Sequence, residues 1–223
     1  MIDASTFAGR SFVVRTDRSW AAGGTFADDL RFLCERGIRP IVVAPSRADA
    51  RDHVRALNRF ADLAVGLSGA DGALLPAGGG HVGRVRTRIL ATLTAAGYVP
   101  VVEPVALDLS GADVDVSADD VAAAIASATE AVRALFFTSA GGIVDPATAV
   151  PIGELTPAEA LALADGDDLS EELRAVVRAA ARGVRAGVGA AQILDGRIAH
   201  ATIVELLTSQ HLGTQVAGTV WVA

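Results

Sequence analysis

The chain has 223 residues, is 51% hydrophobic and carries a formal net charge of −7 at pH 7. This composition predicts one sizeable core and disfavours nucleic acid and anionic membranes as partners. The single cysteine, Cys34, excludes an internal disulfide and favours a cytoplasmic location.

The first residues lack the pattern of a signal peptide, and no apolar run reaches the roughly 18 residues that span a bilayer. Along the chain, apolar β-branched runs alternate with helical patterns. The predicted strands cover residues 11–16, 40–44, 63–68, 97–105, 134–138, 190–194 and 215–222. The predicted helices cover 24–36, 48–60, 87–96, 117–131, a stretch from 156, 169–186 and 200–207, and 69–85 is a loop or hairpin. This alternation predicts an α/β fold with a central, mostly parallel sheet.

The stretch 97–144 organises this prediction, because it reads as strand, helix and strand with short joints. Ser117 has the side chain of a good N-cap, and Asp119 and Asp120 follow in the first helical turn, where carboxylates suit the helix dipole. Thr156 and Glu159 form a capping-box pattern at the start of a later helix. The two strands of the central unit are therefore expected to be parallel.

Several motifs resemble the amino acid kinase family, and within it the acetylglutamate kinases. Residues 115–119 read Asp-Val-Ser-Ala-Asp where the family has Asn-x-Asn-Ala-Asp. Residues 138–143 read Thr-Ser-Ala-Gly-Gly-Ile where it has Thr-Asp-x-x-Gly-Val. Further matches are Val-Gly-Leu-Ser-Gly at 65–69, Gly-His-Val-Gly at 80–83, Ile-Leu-Asp-Gly-Arg at 193–197 and Gly-Thr at 213–214. Their shared order along the chain supports the resemblance.

The resemblance implies a three-layer αβα sandwich formed by a single domain. An N-terminal lobe of about residues 1–130 would hold the acyl amino acid, and a C-terminal lobe of about 131–223 the nucleotide. It also implies ATP with Mg²⁺ as cofactor and phosphoryl transfer to a carboxyl group. Because the family often forms homodimers, a homodimer is among the implied assemblies.

The sequence departs from the family where phosphoryl transfer needs cations and backbone amides. All 19 basic residues are arginine, so no lysine is available. The family's Lys-x-Gly-Gly after the first strand is Arg-Thr-Asp-Arg at 15–18, and its His-Gly-Gly-Gly after the second strand is Ala-Pro-Ser-Arg at 44–47. The family's second lysine falls near Val176, and its substrate-binding turn has no counterpart between residues 48 and 63. We therefore expect at most weak ATP binding.

Carried over residue by residue, the resemblance assigns catalytic roles to Arg15 and Asp119 and substrate contacts to Asp115 and Ser117. It assigns nucleotide contacts to Thr138, Ser139, Gly141 and Gly142. Asp119 is at least as well explained by its place in the first helical turn, and for Ser117 the role of N-cap is preferred. Asp115 would repel a carboxylate substrate.

No metal site is predicted, because the four histidines lack metal-ligand spacing. The arginines at 174, 178, 182 and 185 lie near helical spacing, and a solvated helix face is preferred over an anion-binding one. Two functional hypotheses remain. The first is a diverged homologue without ordinary kinase catalysis, which binds a small amino-acid-derived ligand or a protein partner. The alternative is an active kinase or ligase that phosphorylates a carboxylate of a substrate other than N-acetylglutamate.

Overall fold

The computed structural model describes residues 4–17, 24–59, 61–145, 147–208 and 210–218. Three features of the sequence predictions fall outside these ranges. They are Arg18 after the first strand, Phe60 in the second helix and the end of the closing strand beyond residue 218. Within the described ranges, no helix is long and apolar enough to cross a membrane.

The described residues form seven α-helices and twelve strands. The helices are α1 (Phe26–Glu35), α2 (Arg47–Leu57), α3 (Arg88–Ala95), α4 (Ala118–Ala128), α5 (Pro157–Asp165), α6 (Glu171–Arg185) and α7 (Ala201–Leu207). The strands are β1 (Ser11–Arg15), β2 (Arg39–Val43), β3 (Ala64–Leu67), β4 (Ala77–Gly78), β5 (His81–Val82), β6 (Val99–Val102), β7 (Val105–Leu107), β8 (Asp113–Asp115), β9 (Arg133–Thr138), β10 (Glu154–Leu155), β11 (Ala190–Asp195) and β12 (Thr214–Ala217).

Eight strands form one sheet in the order β10-β12-β11-β9-β1-β2-β6-β3. The neighbours from β11 to β3 are parallel, β12 runs antiparallel to β11, and β10 is parallel to β12. The predicted α/β fold with a mostly parallel sheet is confirmed, and the strands predicted at 11–16, 40–44, 63–68, 97–105, 134–138 and 190–194 all contribute to this sheet. β6 and β9, the strands of the central unit, run in the same direction, as expected.

Helices cover both faces of the sheet and produce the three layers. Adjacent residues of β1 show this division, since Val13 packs with α4 and α6 on one face and Val14 packs with α1 and α7 on the other. Phe136 and Phe137 of β9 divide in the same way, and all four side chains are almost fully buried. A parallel sheet buried on both faces explains why the strands read as continuous apolar runs.

The helix ends agree with their local sequence, and one of them positions the candidate site. Ser117 caps α4 by accepting a hydrogen bond from the backbone N–H of Asp120, and Thr156 and Glu159 form the predicted capping box of α5. Because Ser117 fixes the start of α4, Asp119 lies in its first turn and is buried against the sheet.

Two predictions of local structure need correction. The strand predicted at 97–105 is interrupted after Val102, because Val105 begins a hairpin of β7 and β8 that lies between β6 and α4 and ends at Asp115. The two-residue strand β10 was not predicted, because such a short segment has no recognisable periodicity.

Candidate functional site

The ends of β1, β2, β9 and β11 meet at one side of the sheet, which we call the carboxyl edge. Open α/β sheets hold ligands at this edge. Arg15 is the last residue of β1, and its Nε lies 2.7 Å from Oδ1 of Asp119 at the start of α4. Arg15 also donates a hydrogen bond from Nη1 to the carbonyl oxygen of Phe137, at 3.0 Å. The structure thus brings together the two residues with predicted catalytic roles.

The Arg15–Asp119 pair is well shielded from solvent, because each side chain is only 10% exposed. Burial raises the pKa of Asp119 above its ordinary value, and the nearby positive charge of Arg15 acts in the opposite direction. Arg15 is therefore committed to a carboxylate and a carbonyl of its own chain.

Only three residues separate the end of β2 at Val43 from the start of α2 at Arg47. The side chain of Ser46 accepts a hydrogen bond from the N–H of Asp49 and so caps α2. The preceding residue, Pro45, has no N–H to offer to a phosphate. The guanidinium of Arg47 lies 3.1 Å from Asp113 and 3.6 Å from Asp115, both in β8.

The two residues with predicted substrate contacts thus have partners within the chain. Asp115 is 88% exposed at its side chain and faces Arg47, and Ser117 caps α4. The structure places both near the carboxyl edge, but their role towards a substrate remains a prediction.

The loop after β9 contains the residues with predicted nucleotide contacts. Thr138 is buried and donates a hydrogen bond from Oγ1 to the carbonyl oxygen of Gly141, at 2.9 Å. Gly141 has a φ of 77°, which glycine adopts without strain. A Cβ on Gly142 would lie 3.0 Å from the backbone nitrogen of Thr214, and Ser139 is exposed. Except at Ser139, these residue types are explained by loop geometry and packing.

The end of β11 carries a further ion pair, whose residues were not among the predicted site residues. Asp195 accepts hydrogen bonds from Nε and Nη2 of Arg197 at 2.9 Å and 2.7 Å. These contacts with Arg197 lower the pKa of Asp195. The signal was present in the sequence, because both residues belong to the Ile-Leu-Asp-Gly-Arg segment, which was used only to support the resemblance.

The helix that would carry the family's second lysine offers no cation at the corresponding position. Val176 on α6 is completely buried. The arginines of this helix pair with nearby aspartates, Arg178 with Asp165 at 2.9 Å and Arg182 with Asp120 at 3.5 Å. These contacts agree with the preferred interpretation of the arginine row as a solvated helix face.

A buried histidine, His53, also lies beside the carboxyl edge, and its contact with the residue after β1 was not predicted. Nε2 of His53 on α2 lies 2.7 Å from Oγ1 of Thr16, the residue after Arg15. Burial lowers the pKa of His53. The sequence had no signal for this contact, since the two residues are 37 positions apart. In the described part of the chain, no group of three or more His, Cys, Asp or Glu side chains could hold a metal ion.

These residues do not fit the phosphates of ATP with Mg²⁺. Arg15, Arg47 and Arg197, which lie at the carboxyl edge, each contact a carboxylate of the same chain. Phosphate recognition needs free cations and backbone amides. The arginines that the structure describes at this edge are therefore not free to bind a nucleotide phosphate.

Comparison with known proteins places the chain among kinases. The sequence profile described as "Amino acid kinase family" matches residues 48–195. The acetylglutamate kinase of Prochlorococcus marinus (strain MIT 9303) is 38% identical over an alignment of 181 positions, which covers 74% of this chain and 57% of that protein. The acetylglutamate kinase of Nostoc punctiforme (strain ATCC 29133 / PCC 73102) is 31% identical over an alignment of 269 positions including gaps, which covers 95% of this chain and 89% of that protein.

Among solved structures, N-acetylglutamate synthase from Neisseria gonorrhoeae complexed with coenzyme A and N-acetyl-glutamate matches with a TM-score of 0.81. The sequences are 19% identical, and the match covers 99% of this chain and 62% of the other, so the likeness concerns the fold. The chain spans 57% to 60% of the length of the first two acetylglutamate kinases that it matches.

Proposed function

The chain belongs to the amino acid kinase family and resembles acetylglutamate kinase, but we propose that it lacks ordinary kinase catalysis. Its role is then to bind a small amino-acid-derived ligand or to regulate a partner protein. A single cysteine cannot form an internal disulfide, which is typical of proteins in a reducing compartment and supports a cytoplasmic location for this role.

One observation carries the proposal, namely the pairing of each described arginine at the carboxyl edge with a carboxylate. Arg15 contacts Asp119, Arg47 contacts Asp113, and Arg197 contacts Asp195. A phosphate that approaches this edge must displace one of these carboxylates. Because like charges repel, the remaining aspartates oppose the developing charge of phosphoryl transfer.

The backbone supports the same conclusion. Pro45 removes an amide hydrogen where the family has consecutive glycines, and the side chain at Ser46 takes the place of a second glycine. Loss of one preorganised transition-state contact typically costs about 100- to 1000-fold in rate. With the amide cradle and both lysines absent, little turnover is expected to remain above background, even though such losses are not additive.

The test is release of ADP from Mg-ATP by the purified chain, with and without N-acetylglutamate, next to an active acetylglutamate kinase as positive control. We expect no release above the uncatalysed background. Calorimetry with a non-hydrolysable ATP analogue and Mg²⁺ is expected to show at most weak binding. ADP release that depends on an acyl amino acid and disappears in Arg15→Ala would overturn the proposal.

ADP release that depends on an amino-acid-derived carboxylate other than N-acetylglutamate would establish the alternative, an active kinase or ligase for that substrate. One observation favours it, since Arg15 ends β1 and contacts Asp119. The resemblance implies a basic residue oriented by an aspartate at this place. A panel of N-acylated and free amino acids with a carboxyl side chain distinguishes the two, because the alternative requires turnover of at least one member.

A further inference from the structure

A second region of the molecule contains arginines that, in the described part of the chain, are not paired with carboxylates, unlike those of the carboxyl edge. A cleft of about 630 Å³ lies between the segment 81–87 and the outer sides of α4 and α6. Its lining includes Arg84, Thr87, Ala124, Ala128 and Arg182. Arg84 and Thr87 also line an adjoining depression that contains Arg86 and Arg88. We call the two together the outer cleft.

The backbone of the arginine-bearing segment is fixed on the body of the protein. The N–H of Gly83 donates to the carbonyl oxygen of Pro76 at 2.7 Å, and the N–H of Arg86 donates to that of Leu74 at 3.0 Å. Between them, the Val85 side chain is buried in the core. The side chains of Arg84 and Arg86, on either side of Val85, are exposed.

The charges of this segment are not neutralised within the described part of the chain. No carboxylate there lies within ion-pair distance of Arg84, Arg86 or Arg88. By contrast, ion pairs with carboxylates are made by Arg15, Arg31, Arg47, Arg55, Arg174, Arg178, Arg182 and Arg197. The one carboxylate that lines the cleft, Asp120, lies 3.5 Å from Arg182.

In a chain of net charge −7, three neighbouring arginines without acidic partners form a local positive patch that attracts anions. The guanidinium fork matches phosphate geometry with two parallel hydrogen bonds, which makes a phosphate group the suitable anion. The volume of the cleft lies in the range of small-molecule sites. Its small apolar wall residues, Ala124 and Ala128, leave room for the non-phosphate part of a ligand.

We infer that the outer cleft binds a phosphate-bearing small molecule, with Arg84, Arg86 and Arg88 as the phosphate contacts. This site is separate from the carboxyl edge, because Asp120 faces the cleft while its neighbour Asp119 faces Arg15. The inference does not depend on whether the carboxyl edge is catalytic. An acidic protein segment or an extended nucleic acid would need a longer basic surface than this cleft offers.

The test is calorimetric titration of the full chain at low ionic strength, without Mg²⁺, with inorganic pyrophosphate and with ADP as probes. The key variants are Arg84→Ala/Arg86→Ala and Ala128→Glu, which adds a negative charge at an exposed lining position. Arg178→Ala is the matched control, since it removes one arginine from α6 outside the cleft lining. Circular dichroism verifies that each variant is folded.

We expect saturable binding of at least one probe to the unmodified chain and to Arg178→Ala. Both key variants should weaken it by at least about tenfold. Arg84→Ala/Arg86→Ala removes charge-assisted contacts that are each worth about that factor, and Ala128→Glu adds a negative charge that repels the phosphate. Binding should persist in Arg15→Met/Asp119→Leu, which removes the charge pair of the carboxyl edge. Absence of saturable binding of both probes would overturn the inference. So would binding that survives the key variants, or that is lost on changing the carboxyl edge.

Discussion

The Arg15–Asp119 pair gives the most direct measure of how the carboxyl edge is built. Asp119→Ala removes one partner of a pair whose side chains are each 10% exposed. Removal of one member of a buried pair costs about 3–5 kcal/mol, because the other charge is left without compensation. Arg15 keeps its hydrogen bond to the Phe137 carbonyl. We therefore expect a loss near the lower limit, about 3 kcal/mol.

A matched control is available on α2. Asp52 and Arg55 form an ion pair at 2.9 Å, close to the distance of the buried pair, but their side chains are 70% and 76% exposed. Asp52→Ala removes the same chemical group from a solvated pair, which is expected to cost less than about 1 kcal/mol. Urea denaturation of both variants, monitored by circular dichroism, measures the two losses under identical conditions.

The double variant Arg15→Met/Asp119→Leu separates charge pairing from packing. Replacement of a buried ion pair by apolar residues of similar volume is often neutral or stabilising. We therefore expect its free energy of unfolding to equal or exceed that of the unmodified chain. The reasoning is refuted if Asp119→Ala and Asp52→Ala cost the same, because the buried pair would then contribute no more than a surface pair.

Three other predictions concern single sites. Burial lowers the pKa of His53 below its ordinary value of 6.5, so the unfolded chain takes up the proton first. The free energy of unfolding therefore decreases as the pH falls below about 6.5. Urea denaturation at several pH values should show a smaller decrease in His53→Gln. Burial raises the pKa of Cys34 from its ordinary value of 9.0 to about 11. At about pH 8 its thiolate fraction is then about 100-fold lower than that of a cysteine with the ordinary pKa, and iodoacetamide should react correspondingly slowly. A Cβ on Gly213 would lie 2.0 Å from the Ile193 carbonyl oxygen, so Gly213→Ala should cost at least about 1–3 kcal/mol. Gly153→Ala, with no atom within 4 Å of the added Cβ, should be nearly neutral, and urea denaturation of the two variants measures the difference.

The strands could be predicted from the sequence because their information is local. β1 and β9 are apolar runs whose alternate residues enter the two cores, and this pattern is visible without tertiary structure. The cap at Ser117 is local as well, since its partner is the N–H of Asp120 three residues away. The position of Asp119 followed from this cap together with the resemblance.

Contacts between distant segments could not be predicted in this way. The Asp113 that pairs with Arg47 is 66 positions away, and Thr16 and His53 meet only because α2 packs beside the end of β1. The hairpin of β7 and β8 hid the true neighbours of Asp115, because its strands have only three residues each. The sequence thus identified residues of the carboxyl edge, whereas their partners depend on how the sheet and helices assemble.

These partners also allow the proposed absence of kinase catalysis to be tested with a single substitution. The guanidinium of Arg15 uses Nε towards Asp119 and Nη1 towards the Phe137 carbonyl. A lysine must serve both from one nitrogen, so Arg15→Lys is expected to lose about 1–2 kcal/mol of stability in urea denaturation. We expect no ADP release from this variant, because Pro45 still lacks an amide hydrogen and the buried Val176 still occupies the position of the second cation. Measurable ADP release by Arg15→Lys would show instead that one lysine was the sole deficiency, and that the arrangement after β2 does not limit phosphoryl transfer.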